Sequence, residues 1–191
     1  MSKHDFSTQE FADRLQRTRA AIAAAGLDWL IVIHPVSMRW LIGQDNKSYT
    51  AFQCLPVSAA PGKLVVFTRE MERNEFELDT MVDEVRSYNG AEPEDAMEAF
   101  AKFARDMGLT RGRVGIEVPS WYLNAHQYVK VKEILGAALV AEPSGMINSL
   151  KVVKSAAELD YHRKSAEIAG EAWTALLGAV AVGRSELELA G

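Results

Sequence analysis

The chain has 191 residues, 48% hydrophobic and 25% charged, enough for one domain with a sizeable core and an appendage. Its net charge of −5 and the lack of any five-residue basic run argue against a basic phosphate-binding face, so nucleic acid is not an expected partner. No apolar run reaches membrane-spanning length, the first ten residues are polar, and the single cysteine, Cys54, excludes an internal disulfide; together these predict a cytoplasmic protein with no membrane partner.

Ser7 with Glu10 forms a capping-box pattern, and Phe11, Leu15, Thr18, Ile22 and Ala25 follow at helical spacing until Gly26. Leu27 to Ile33 is a nearly continuous apolar run rich in β-branched residues, the pattern of a strand covered on both faces. Val36 to Gly43 reads as a short helical turn. Tyr49 to Ser58 and Lys63 to Thr68 are strand-like runs around Ala59-Ala60-Pro61-Gly62, which predicts a hairpin. Glu70 to Thr80 reads as a short surface helix or irregular crossover, and Val82 to Tyr88 as a strand.

Pro93 is placed to open a helix with the stripe Ala96, Met97, Phe100, Ala104 and Met107, closed by Gly108. Arg113 to Val118 is the next strand. Ser120 is expected to cap a helix containing Leu123, Val131, Ile134 and Leu135, and Ala137 to Ala141 to form a last short strand. Ser155 with Glu158 is a second capping box, starting a long helix whose stripe is Leu159, His162, Ala166, Ala169, Trp173, Leu176 and Val180. After Gly183, Arg184 to Leu189 reads as the opening of a further helix. The class is α/β: a mixed sheet with helices on both faces, residues 1–150 forming one domain and 151–191 a connector.

The four histidines show none of the spacings of a zinc motif, the first strand is not followed by a glycine-rich phosphate loop, and no nucleophile elbow occurs. No catalytic residue and no metal ligand can be assigned, and no cofactor is expected in this chain. Three features have a functional reading beside a structural one. His34 lies just past the first strand, where open α/β sheets place ligands, or else it ends the strand with one backbone hydrogen bond. Tyr49, Phe52 and Gln53 project an aromatic and an amide toward a ligand or neighbouring subunit, or else pack a hairpin edge. Trp121-Tyr122 belongs to a core or interface, or to a ligand site. Cys54, between Gln53 and Leu55, reads as a buried small hydrophobe.

The segment Leu150 to Ala169, Leu-Lys-x-x-Lys-Ser-x-x-Glu-Leu followed by Arg163 and Ala166, resembles the interdomain linker of the creatinase, prolidase and aminopeptidase P metallohydrolases. Arg14-Leu15, Gly26-Leu27-Asp28, Trp40-Leu41-x-Gly43, Gln53-Cys54-Leu55 and Val114-Gly115-Ile116-Glu117 match that family in order. The resemblance implies a ribonuclease-H-like three-layer α/β/α domain, the non-catalytic N-terminal domain of a Xaa-Pro dipeptidase or creatinase-like hydrolase. It further implies a pita-bread catalytic domain, absent from this chain, that carries two divalent metals (Mn, Zn or Co), and residues 151–191 would then be the linker helix and the start of that domain. Homo-dimers or larger homo-oligomers are implied, with Tyr49 matching an aromatic that approaches a partner subunit's substrate; Phe52, Gln53 and His34 are the further candidates for that contact from their positions in the chain. The family's arginine two positions after the aromatic is Ala51 here, which removes a charge-assisted contact to a carboxylate substrate and argues against creatine. The alternative reading is a stand-alone α/β ligand-binding or interaction module.

Overall fold

The computed structural model describes residues 3–44, 51–119 and 121–190, which divide into two compact units, residues up to Lys151 and residues from Val152. The first unit opens with α1 (Thr8–Ala24), β1 (Trp29–Val32) and α2 (Pro35–Ile42), followed by β2 (Leu55–Ser58) and β3 (Val65–Arg69). A short 3-10 turn leads to α3 (Arg73–Asp79), then β4 (Glu84–Tyr88), α4 (Ala96–Asp106), β5 (Val114–Ile116), α5 (Ala125–Leu135), β6 (Leu139–Ala141) and α6 (Met146–Leu150). The second unit holds α7 (Ala156–Ala179) and α8 (Glu186–Ala190).

Strands β2, β1, β5 and β6 lie side by side in that order, β1 antiparallel to β2 and parallel to β5. β1 is the element the sequence marks most plainly, and its two faces explain why. Leu30 and Val32 enter a core with Ile22 of α1, Leu41 of α2, Phe76 of α3 and Ile147 of α6. Ile31 and Ile33 enter a second core with Phe100 and Phe103 of α4 and Val131 and Leu135 of α5. A strand with helices on both sides has no polar face to show, so its residues run apolar without alternation. The expected α/β/α layering follows.

β3 and β4 form a separate parallel pair rather than a zipped hairpin with β2. The expected hairpin survives only at Cys54 and Phe67, which exchange both backbone bonds at 2.9 Å. The next such exchange toward the turn would join Pro56 to Val65, and proline has no N–H to give. On its other edge β3 takes its ladder from β4, through the α3 crossover. Val66 and Phe67 still point into the two cores on either side, so the pair continues the same layer.

Helix starts depart from expectation in two places where a side-chain acceptor nearer the first turn takes over. Asp95, not Pro93, caps α4, accepting from the N–H groups of Met97 and Glu98. Asn124, with Gln127 reciprocating, caps α5, and Ser120 lies outside the described residues. At α1 the cap by Ser7 forms, but Glu10 turns to the buried Arg14, 3.0 Å away, instead of back to the cap. That guanidinium, 4.1 Å from the Phe6 ring, also donates to the Trp40 carbonyl and locks α1 onto α2.

In the second unit the capping box of Ser155 and Glu158 forms as the sequence predicts. None of α7 is buried, and Trp173 is 61% exposed. No helix among the described residues is long and apolar enough to cross a membrane.

Candidate functional site

The site grows from the carboxyl ends of β1 and β5. Ile33-His34-Pro35 turns the chain from β1 into α2, with Pro35 at the first helical position, where a missing N–H costs nothing. His34 caps that helix: its Nδ1 accepts from the Val36 N–H at 3.1 Å. The ring proton of the neutral imidazole then sits on Nε2. Burial, and after it the charge of Lys151, pull the His34 pKa below its ordinary value, so the ring is neutral at pH 7.

Beside it, Glu117 follows directly on β5. Its N–H continues the ladder to the Ile31 carbonyl at 2.9 Å. Its carboxylate, in a residue only 2% exposed, accepts from the Ile33 N–H at 3.1 Å and the His34 N–H at 3.0 Å through Oε2, and from Ser37 Oγ at 2.8 Å through Oε1. The side chain thus ties the end of β5 to the end of β1 and to the first turn of α2, with its negative charge at a helix N-terminus. Burial raises the pKa of this carboxyl, opposed by the three donors and by Lys151.

Over these two residues lies a cavity of about 180 Å³ lined by His34, Glu117, Trp121, Tyr122, Ser144 and Asn148 among others. Tyr122 forms one wall, its ring 4.9 Å from that of His34 and steeply inclined to it. Ser144, held by the Val118 N–H at 3.0 Å, forms another. The close approach of this wall depends on Gly115, where a Cβ would stand 3.0 Å from Pro143 Cγ and 2.7 Å from Leu27 Cδ1. Trp121, at the rim, is 87% exposed.

Of the residues singled out from sequence, His34 lines this cavity and also makes the single backbone bond of its structural reading. Phe52 and Gln53 do not line it. Phe52 is 1% exposed, its ring 5.1 Å from Phe100, and its carbonyl accepts from Tyr88. Gln53 is 4% exposed, and Tyr49 lies outside the described residues. Cys54 is buried, with its thiol pKa pushed far up by desolvation, so it is held as an inert thiol. Glu117, Ser144 and Asn148 were not recognised from sequence. For Glu117 the signal was there: a carboxylate placed directly after Val-Gly-Ile cannot stay among apolar residues without partners. Among the described residues no group of three or more His, Cys, Asp and Glu could hold a metal ion, so this part of the chain does not fit a dinuclear metal centre.

The model of the Creatinase/Prolidase N-terminal domain matches residues 14–153. The chain is 28% identical over 170 residues to a protein named ectoine hydrolase from Halomonas elongata, the match covering 85% of this chain and 42% of that protein. Among solved structures it is similar to a prolidase from Thermococcus sibiricus, with TM-score 0.80, 19% identity, and coverage of 96% of this chain and 48% of that one. A Xaa-Pro dipeptidase from Bacillus anthracis gives TM-score 0.74 at 20% identity, covering 94% of this chain and 46% of that one. The chain thus spans less than half the length of these relatives.

Proposed function

The chain belongs to the creatinase/prolidase N-terminal domain family, and from that premise we propose that it is the non-catalytic N-terminal domain of a longer cytoplasmic metallohydrolase. The carrying observation is the family match over residues 14–153 in a chain that covers only 42% of its hydrolase relative. On this reading residues 1–150 serve oligomerisation and closure of a partner subunit's active site, with Tyr49 and His34 contributing to that partner's site, whereas Phe52 and Gln53 are buried within their own domain. Residues 151–191 form the linker helix and the first part of the catalytic domain. The exposed apolar residues of α7, Trp173 and Ile168 among them, support this assignment, since such a surface is stable when another domain covers it.

The parent reaction is hydrolysis of an amide or amidine-type C–N bond, with two divalent metal ions held by ligands outside this chain. Ectoine is a cyclic amidine, and the 28% identity to a protein named for its hydrolysis supports a small cyclic substrate over a Xaa-Pro dipeptide. The solved dipeptidase and prolidase neighbours, at 20% identity or below, bear on the fold alone.

The test is calorimetric titration of the purified chain with Mn²⁺ and Zn²⁺, followed by assay against ectoine and a panel of Xaa-Pro dipeptides. Neither tight metal binding nor turnover is expected. Stoichiometric tight metal with turnover would overturn the assignment of catalysis to a separate domain.

A further inference from the structure

The chain leaves the carboxyl ends of β1 and β5 in opposite directions. From β1 it passes through α2 to β2 on one side, and from β5 through α5 to β6 on the other. Where neighbouring strands of an open sheet part company like this, neither connection crosses the gap between them, and a crevice is left over the strand ends. The cavity above Glu117 occupies that gap. Its position is therefore a product of topology, independent of what any downstream domain does.

The lining fixes the kind of molecule that fits. A volume of about 180 Å³ equals roughly six waters at about 30 Å³ each, room for one substituted ring. Two aromatic side chains meet it: Tyr122, braced by the His34 ring, and Trp121, whose indole stands 87% exposed at the rim with a face open to stacking. A flat ligand is favoured. The charges of Glu117 and Lys151 oppose each other here, which favours a ligand without net charge. His34 offers one donor, Nε2–H, because Nδ1 is committed to Val36. Glu117 offers one acceptor: Oε2 already takes two N–H groups, whereas Oε1 takes only the Ser37 hydroxyl. A donor and an acceptor on the lining of one cavity complement an amide edge.

We infer that this crevice binds a small, neutral, planar molecule with an amide edge, a cyclic amide or an aromatic carboxamide. Its carbonyl accepts from His34, its N–H donates to Glu117, and its ring stacks on Trp121. Such a ligand acts on this domain itself, which goes beyond the role proposed above and does not rest on it.

The experiment is a ¹H–¹⁵N correlation titration of the chain with uracil and with nicotinamide, repeated with 1,3-dimethyluracil, whose amide N–H groups are blocked. Saturable shifts from at least one of the two amides, confined to residues 34–37, 117–122 and 144–148, are expected, and none from the dimethyl compound. Trp121→Ala removes an exposed side chain, so it should keep a dispersed spectrum while weakening binding about tenfold, as loss of one stacking contact does. The inference is overturned if neither amide saturates, if 1,3-dimethyluracil binds as well as uracil, or if Trp121→Ala binds undiminished. The dimethyluracil comparison uses the unaltered chain, so the outcome stands whatever the variant does.

Discussion

Replacing Glu117 by alanine should cost this domain a large part of its stability, although the residue lies outside both apolar cores. The substitution strands three donors at once: the buried N–H of Ile33, the buried hydroxyl of Ser37 and the half-buried N–H of His34. A buried donor left without a partner costs about 1–3 kcal/mol. Water entering from the adjoining cavity can satisfy His34, and relief of carboxylate desolvation offsets part of the rest, so the expected net loss is about 3 kcal/mol. Against the roughly 5–15 kcal/mol that a domain has in total, this is severe. Glu117→Gln keeps one oxygen for the two N–H groups and lets Ser37 reverse its bond, so it should cost only about 1 kcal/mol. Urea unfolding followed by the fluorescence of Trp29 and Trp40, both packed within the domain, measures the two variants against the parent chain. An alanine variant within about 1 kcal/mol of the parent, or a glutamine variant as damaged as the alanine one, would refute the claim that this carboxylate fastens β5 to α2.

The same pair of chains reports on pH. Burial raises the Glu117 pKa in the folded state, so its contribution is fully present below the unfolded carboxylate pKa and is lost as pH rises through the folded value. The stability of the parent relative to Glu117→Gln should fall as pH rises above the ordinary carboxylate range, and a difference that grows with pH would contradict the burial argument. Gly115→Ala places a methyl 2.7 Å from Leu27 Cδ1 and 3.0 Å from the Pro143 ring; Leu27 can swing aside but the ring cannot, so thermal unfolding should show a loss of about 1–3 kcal/mol. Trp173→Asp, at a residue 61% exposed, should leave the unfolding free energy of residues up to Lys151 within about 0.5 kcal/mol and raise solubility. Lost cooperativity in that variant would show that α7 packs on its own chain.

What could be read from sequence was whatever is decided locally. The Ser155 and Glu158 box, the apolar run of β1 and the stripe of α4 each lie within a few residues of their cause, and each appears where expected. The hairpin between β2 and β3 misled because its turn residues are right, and the obstacle, Pro56, acts only through the partner it would have faced. α6, only five residues long, leaves no periodicity to detect. The site was half legible. His34 could be placed at a strand end, but its neighbour Glu117 lies more than eighty positions away, and only the parallel pairing of β1 with β5 brings them together.

That pairing also sets an order of events during synthesis. Trp29 is matched with Val114, so when the ribosome has released the first hundred residues β1 has β2 along one edge and bare backbone along the other. Closing a loop of that length is entropically slow, and an unpaired edge invites intermolecular pairing while it waits. The peptide groups of Ile33 and His34 wait as well, since the carboxylate that receives them arrives with the same strand. The nascent chain is therefore most exposed to aggregation until β5 emerges, and the arrival of one short strand both seals the sheet and completes the crevice beside it.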